Sequence, residues 1–160
     1  MGIISGGTAA LPGELVYEEV TFTETSGSGV YTGSVTVPGR SWLLDIKIYP
    51  VALWDNTGTA VMKVGDVTTS DGWFTGIDLK ATDLIAGTNA EVIDFQNTGG
   101  KEGGYLVVLS GERAVMYSAT ARVVSGVVTT SSTGGTAGRT RMVVIYSTVD
   151  SPTAATYVAT

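Results

Sequence analysis

Apolar residues in this sequence never recur at helical spacing for more than about one turn, which removes the amphipathic helix as a building block. Alternation takes its place. Residues 42–49 put Leu44, Ile46 and Ile48 on one face and Asp45 and Lys47 on the other, the cleanest two-residue period in the chain. Leu15–Thr23 groups Val16, Val20 and Phe22, and Val30–Val37 groups Tyr31, Val35 and Val37 before stopping at Pro38-Gly39. Ala60–Gly65 follows, then 73–80 with Trp73, Ile77 and Leu79 on one side. Residues 121–130 and 141–148 are nearly continuous in apolar side chains, as expected of central strands covered on both faces. Residues 91–95, 105–109 and 114–118 read as short strands, and 81–87 as one helical turn with Thr82 as its cap and Gly87 as its stop.

The punctuation agrees. Glycine (22), threonine (24) and valine (21) dominate, and β-branched side chains suit a pleated surface while glycine supplies turns. Short strands broken by turn signals at this density predict an all-β chain, an antiparallel β-sandwich of jelly-roll-like type with at most one short helical turn. Residues 1–13 read as a flexible arm, 14–149 as the β domain and 150–160 as a tail. At 160 residues, one such domain buries roughly 70% of its unfolded surface and needs no staple.

Composition narrows function. Cysteine and histidine are both absent, which removes disulfides, thiolate or imidazole metal sites and every Ser–His–Asp or Cys–His arrangement. The net charge of −6 gives no electrostatic footprint for nucleic acid. No apolar run approaches the ~20 residues of a membrane span, and the N-terminus lacks the basic and apolar regions of a secretory signal. The expectation is a chain of the cytoplasm, or of a particle assembled there, with no nucleic-acid or membrane partner.

Candidate chemistry is sparse. Gly27, Gly29 and Gly33 are spaced one residue off the dinucleotide fingerprint and precede a strand where a helix is required, so they read as turn glycines. Glu18 and Glu19 are adjacent on a strand and point to opposite faces. The 66–72 loop, with Asp66 and Asp71, lacks calcium-loop spacing, and its aspartates read as turn caps. No catalytic, cofactor or metal residue is assigned. Trp54, Trp73 and Phe74 are candidate interface aromatics, or glycan-stacking rings for the two tryptophans. Arg113, Arg139 and Arg141, with Arg122, are candidate cations for an acidic partner surface if they converge. Ile3, Ile4 and Leu11 on the N-terminal arm would find burial only against a partner.

From Trp42 to about residue 145 the chain resembles a family of small β-rich virion proteins of tailed bacteriophages. The resemblance is carried by Trp42-Leu43-Leu44-Asp45-Ile46, Ala52-Leu53-Trp54-Asp55, Lys63-Val64-Gly65-Asp66, the run from Asp71 to Leu84, and Gly138-Arg139-Thr140-Arg141. It implies a capsid decoration, or cement, protein: a homotrimer on the outer surface of the head that reinforces contacts between capsomers of the major capsid protein. The family brings no catalytic residues or cofactors. Val67-Thr68-Thr69-Ser70 stands where the resemblance implies a more acidic loop, which argues against a cation site there. The rival readings are a tail, connector or fibre module, and an enzyme built on paired carboxylates among residues 66–83.

Overall fold

Alternating apolar residues pair into eight strands in the computed structural model, which describes residues 13–27, 29–81, 92–107, 116–132 and 134–148. They are β1 (Leu15–Thr23), β2 (Val30–Val37), β3 (Ser41–Ala52), β4 (Ala60–Gly65), β5 (Phe74–Asp78), β6 (Tyr117–Ser118), β7 (Arg122–Thr130) and β8 (Arg139–Thr148). The first sheet has the order β1-β8-β3-β6 and the second β2-β7-β4-β5. Every pairing is antiparallel. The order has a simple logic. Strands β4 and β5 form the tip of one long hairpin whose later pairs are β3–β6, β2–β7 and β1–β8, and successive pairs fall in alternate sheets. Rolling that hairpin brings β8 against β3 and β7 against β4, which closes the sandwich. No helix occurs among the described residues, and the turn expected at 81–87 lies, beyond Ala81, outside them.

The core fills from both inner faces. Val16, Phe22, Leu43, Ile46, Ile48, Met142, Val144 and Tyr146 of the first sheet meet Val35, Val37, Met62, Val64, Phe74, Ile77, Val124 and Val128 of the second. Gly33 of β2 pairs with Gly126 of β7. A Cβ on either would lie 3.2 Å or less from the Phe22 ring, so the glycines leave the space that the ring of β1 occupies. This aromatic crossing from one sheet to the other needs bare backbone opposite it.

Expectation and structure part company at particular places. Leu44, expected inward, is exposed, and Leu43 is buried instead. The cause is a β-bulge: β3 advances from Leu43 to Asp45 while β8 moves only from Tyr146 to Ile145. One extra residue reverses the alternation, so Leu43 above the bulge and Ile46 below it both face the core. A second shift between Pro50 and Ala52 leaves Val51 exposed. In β5, Phe74 and Ile77 both face inward because the pairing with β4 shifts between Met62 and Val64, and Gly76 takes φ 65° there.

The apolar strands β7 and β8 are central, as expected, but the second sheet leaves the outer face of β7 open: its burial alternates, with Val123 and Thr129 exposed. The strand expected at 105–109 is a turn through Leu106, and its last two residues lie outside the described set. Of the stretch expected as a strand at 91–95, residues 92–95 are described, and among them only Ile93 forms a ladder contact, a two-way bridge to Ile48.

Candidate interaction surface

A hydrogen-bonded group of polar side chains sits at each end of the sandwich, and both groups hold loops in place. At one end Glu24, 2% exposed, follows β1 directly. Its Oε2 accepts from the backbone N–H of Asp55 at 3.0 Å and Gly138 at 2.9 Å, and its Oε1 from that of Asn56 at 3.2 Å. Asp55 repeats the arrangement, its Oδ1 accepting from Ala137 and Thr136. Those bonds, with a contribution from Glu24, hold the Asp55 carboxyl below the usual carboxylate range. Two neighbouring carboxylates are thus spent on joining the β3–β4 loop to the β7–β8 loop. Neither is placed as an acid–base pair across an open cleft. Lys80 Nζ donates to the Asn56 carbonyl and completes the clamp.

At the other end Asp66 caps its own loop. Its Oδ1 accepts from the N–H groups of Thr68 at 2.8 Å and Thr69 at 2.9 Å, and the Tyr105 hydroxyl donates to the same carboxylate at 3.1 Å. These are the turn-capping contacts predicted for that loop. Asp71 faces Lys63 at 3.8 Å. The Tyr105 ring stands edge-on to Trp73 with centroids 5.3 Å apart, and the Arg122 guanidinium lies 5.7 Å from the Trp73 ring centroid. Burial lowers the Arg122 pKa, against the pull of Asp66 and Tyr105.

The aromatic candidates are therefore relocated. Trp73 and Phe74 are wholly buried and Trp54 is 2% exposed, so none presents a ring to a partner or a glycan. Trp54 donates its Nε1–H to Thr140 Oγ1 at 3.0 Å and packs edge-on against Tyr31. A strand or loop position with a tryptophan reads alike for core and surface until the partner sheet is known. Arg139 and Arg141 do share the outer face of β8, whereas Arg122 is tucked beneath Trp73. Arg141 pairs with Glu19 of β1. Arg113, Ile3, Ile4 and Leu11 lie outside the described residues.

The outer face of the first sheet carries the surface that sequence reasoning missed. Its top row runs Leu15, Ser147, Trp42 and Tyr117 across β1, β8, β3 and β6. Trp42 is 45% exposed and Tyr117 40%, with ring centroids 5.2 Å apart and tilted 49°. The bulge adds Leu44, 46% exposed, beside them. In the next row Ile145 is buried on this outer side yet stands apart from the core cluster, between Tyr17 and Asp45 in register. The patch is rimmed by charge. Lys47 reaches Asp94 at 2.8 Å and Asp45 at 3.0 Å, and Arg139 and Arg141 occupy the far end of β8. An exposed aromatic and aliphatic cluster with a charged rim is the composition of a protein-binding surface. The signal for it in the sequence was Trp42-Leu43-Leu44 itself: three consecutive large apolar residues cannot all face one core across an alternating strand.

No protein-family model matches the chain, and no curated protein does. Among solved structures it is similar to a chain of the cyanophage Pam1 capsid asymmetric unit, with 17% identity over 89% of this chain and 94% of that one and a TM-score of 0.46. It is similar to a chain of the capsid of Ralstonia phage GP4, at 13% identity over 94% and 100% and a TM-score of 0.47. A chain of the acid-stable capsid of Helicobacter pylori bacteriophage KHP30 matches at 14% identity over 82% and 94%, with a TM-score of 0.40.

Proposed function

We propose that this chain is a structural component of a tailed-bacteriophage virion: a capsid decoration protein that binds the outside of the head. In this reading it forms a homotrimer, reinforces contacts between capsomers of the major capsid protein, and performs no catalysis. Its strand order reads as a jelly roll, two interlocked Greek keys in facing sheets. The observation that carries the proposal is the position of Trp42 and Leu44. They open the stretch that resembles the virion family, and the bulge in β3 turns them outward beside Tyr117. A decoration protein acts through area rather than chemistry. Many copies on a closed shell need only a modest contact each. Contacts of the carboxylates support the non-catalytic part: Glu18 accepts from the Tyr146 hydroxyl, Glu19 pairs with Arg141, and Glu24, Asp55 and Asp66 hold loops.

The test is to prepare heads with and without the protein and measure shell rupture under heat and osmotic shock. Decorated heads are expected to withstand both better, and equal resistance overturns the proposal. A second reading, a tail or fibre module that binds glycans, now has to use Trp42 and Tyr117, since Trp54 and Trp73 are enclosed. Glycan-array binding that Trp42→Ala abolishes, with no binding to heads, would favour it.

A further inference from the structure

A four-stranded sheet has two edges, and each edge strand presents backbone donors and acceptors that can template another chain; native proteins blunt them with charge, proline, bulges or shortness. Three of the four edges here are blunted. β1 carries Glu18 and Glu19 at its middle, β5 is five residues long and bulged, and β6 is two residues long. β2 has none of these devices. Val30-Tyr31-Thr32-Gly33-Ser34-Val35-Thr36-Val37 contains no charged residue and no proline, and its register with β7 is unbroken through all eight pairs.

The phase of the ladder identifies the open groups. Thr130 N–H donates to the Gly29 carbonyl at 2.8 Å, so Gly29 and every second residue after it turn their backbone groups to β7. Thr32, Ser34 and Thr36 turn theirs outward. All three are exposed, and no other described element bonds them.

We propose that β2 pairs antiparallel with β2 of a second copy across a two-fold axis, which joins two four-stranded sheets into one of eight strands. The occupant follows from self-complementarity. An axis through Ser34 sets Thr32 against the partner's Thr36 and Ser34 against the partner's Ser34, so hydroxyl side chains face hydroxyl side chains, a favourable cross-strand pairing. The chain carries a net charge of −6, and copies repel one another. A dyad on β2 brings no carboxylate onto another, whereas one on the middle of β1 opposes Glu19 to its own copy. The inference does not rest on the virion reading. On a shell it would act where neighbouring trimers meet across local two-fold axes, and in solution it stands by itself.

The experiment is a concentration series of the isolated protein by sedimentation velocity, with amide hydrogen exchange at each concentration. Association is expected to rise with concentration, and the amides of Thr32, Ser34 and Thr36 to slow about tenfold or more as it saturates. Ser34→Pro removes a central donor. Because proline can also disturb the strand, Thr36→Lys, on an exposed position, adds the charge that natural edges use. Each variant is expected to weaken association roughly tenfold or more. A species that stays monomeric at every concentration overturns the proposal. So does an oligomer in which those three amides exchange at the dilute rate, or one that Thr36→Lys leaves unchanged.

Discussion

Glu24 shows how a buried charge can serve as a joint. Its two oxygens accept three backbone N–H bonds from loops that follow β3 and β7, and each loop would otherwise carry a stranded donor. Close approach of backbone makes this possible: a Cβ on Gly135 would sit 2.0 Å from Glu24 Oε1, and one on Gly138 2.6 Å from the Trp54 ring. Glu24→Ala is expected to cost on the order of 3 kcal/mol, measured by urea unfolding, because donors left unsatisfied cost about 1–3 kcal/mol each and relaxation returns part.

Lys47 joins β3 to the loop at Asp94 through charge. The hydrogen bond that its ammonium donates to Asp94 raises its pKa against burial, with Asp45 adding to it. Burial works against ionised Asp94, but Lys47 and the N–H groups of Asn97 and Gln96 outweigh it and hold the carboxyl low. A carboxyl whose folded pKa lies below its unfolded one contributes stability that is complete above the unfolded value. That contribution is lost as pH falls through the folded value. The lysine has the opposite sign: its contribution is complete below the ordinary value of 10.5 and lost as pH rises beyond it. At neutral pH both are in full force. Asp94→Asn is therefore expected to lower stability by roughly 1 kcal/mol near neutrality, and by progressively less as pH falls through the lowered folded value, where wild type loses the pair. Denaturant midpoints across that range check both limbs.

At the scale of elements, β1, β2 and β4 are legible in the sequence to the residue, because each keeps an unbroken alternation from one turn signal to the next. β3 is legible as a strand but not in which face it shows. Its bulges at Leu44 and Val51 are properties of the pairing with β8: the Trp42-Leu43-Leu44 run announces that the three cannot share one face, but not which of them turns outward. The candidate surface was lost for the same reason, since reading Leu44 inward carries Trp42 inward with it. The tryptophans chosen instead, Trp54 and Trp73, sit in a loop and just before a strand, where core and surface share one local pattern.

The crossing of Phe22 over Gly33 and Gly126 makes its own prediction at this scale. Gly126→Ala puts a Cβ 2.7 Å from Phe22 Cζ and 2.9 Å from Met62 Cε, both ends of side chains that can give a little. The cost is expected at about 1–3 kcal/mol, the range for overpacking a filled core. Adding Phe22→Leu should return part of it, so that the two changes are non-additive in a thermal or urea cycle. Strict additivity would mean that the ring and the glycine do not share a space.

For the whole molecule, the outer face of the first sheet is polarised along β8: Arg139 and Arg141 at one end, Trp42, Leu44 and Tyr117 at the other. Charges at a rim govern encounter rate and salt dependence, while a desolvated aromatic anchor governs how long a complex lasts. The two chemically similar tryptophans Trp42 and Trp73 therefore make opposite predictions. Trp42 is 45% exposed and touches Tyr117, so Trp42→Ala should cost about 1–2 kcal/mol of folding stability, the lost ring pair and part of the covered area. On the proposed decoration role, its binding to undecorated heads should fall tenfold or more, with the loss in dissociation rate, as for an interface anchor worth about 2 kcal/mol. Trp73 is sealed between Tyr105 and Arg122, so Trp73→Ala should destabilise the fold by about 3–5 kcal/mol. Any protein that still folds should keep the wild-type surface and its affinity. Thermal melts and head-binding kinetics on both variants separate the roles. On that proposed role, a folded Trp42→Ala protein that binds heads with wild-type affinity would remove this patch from the interface.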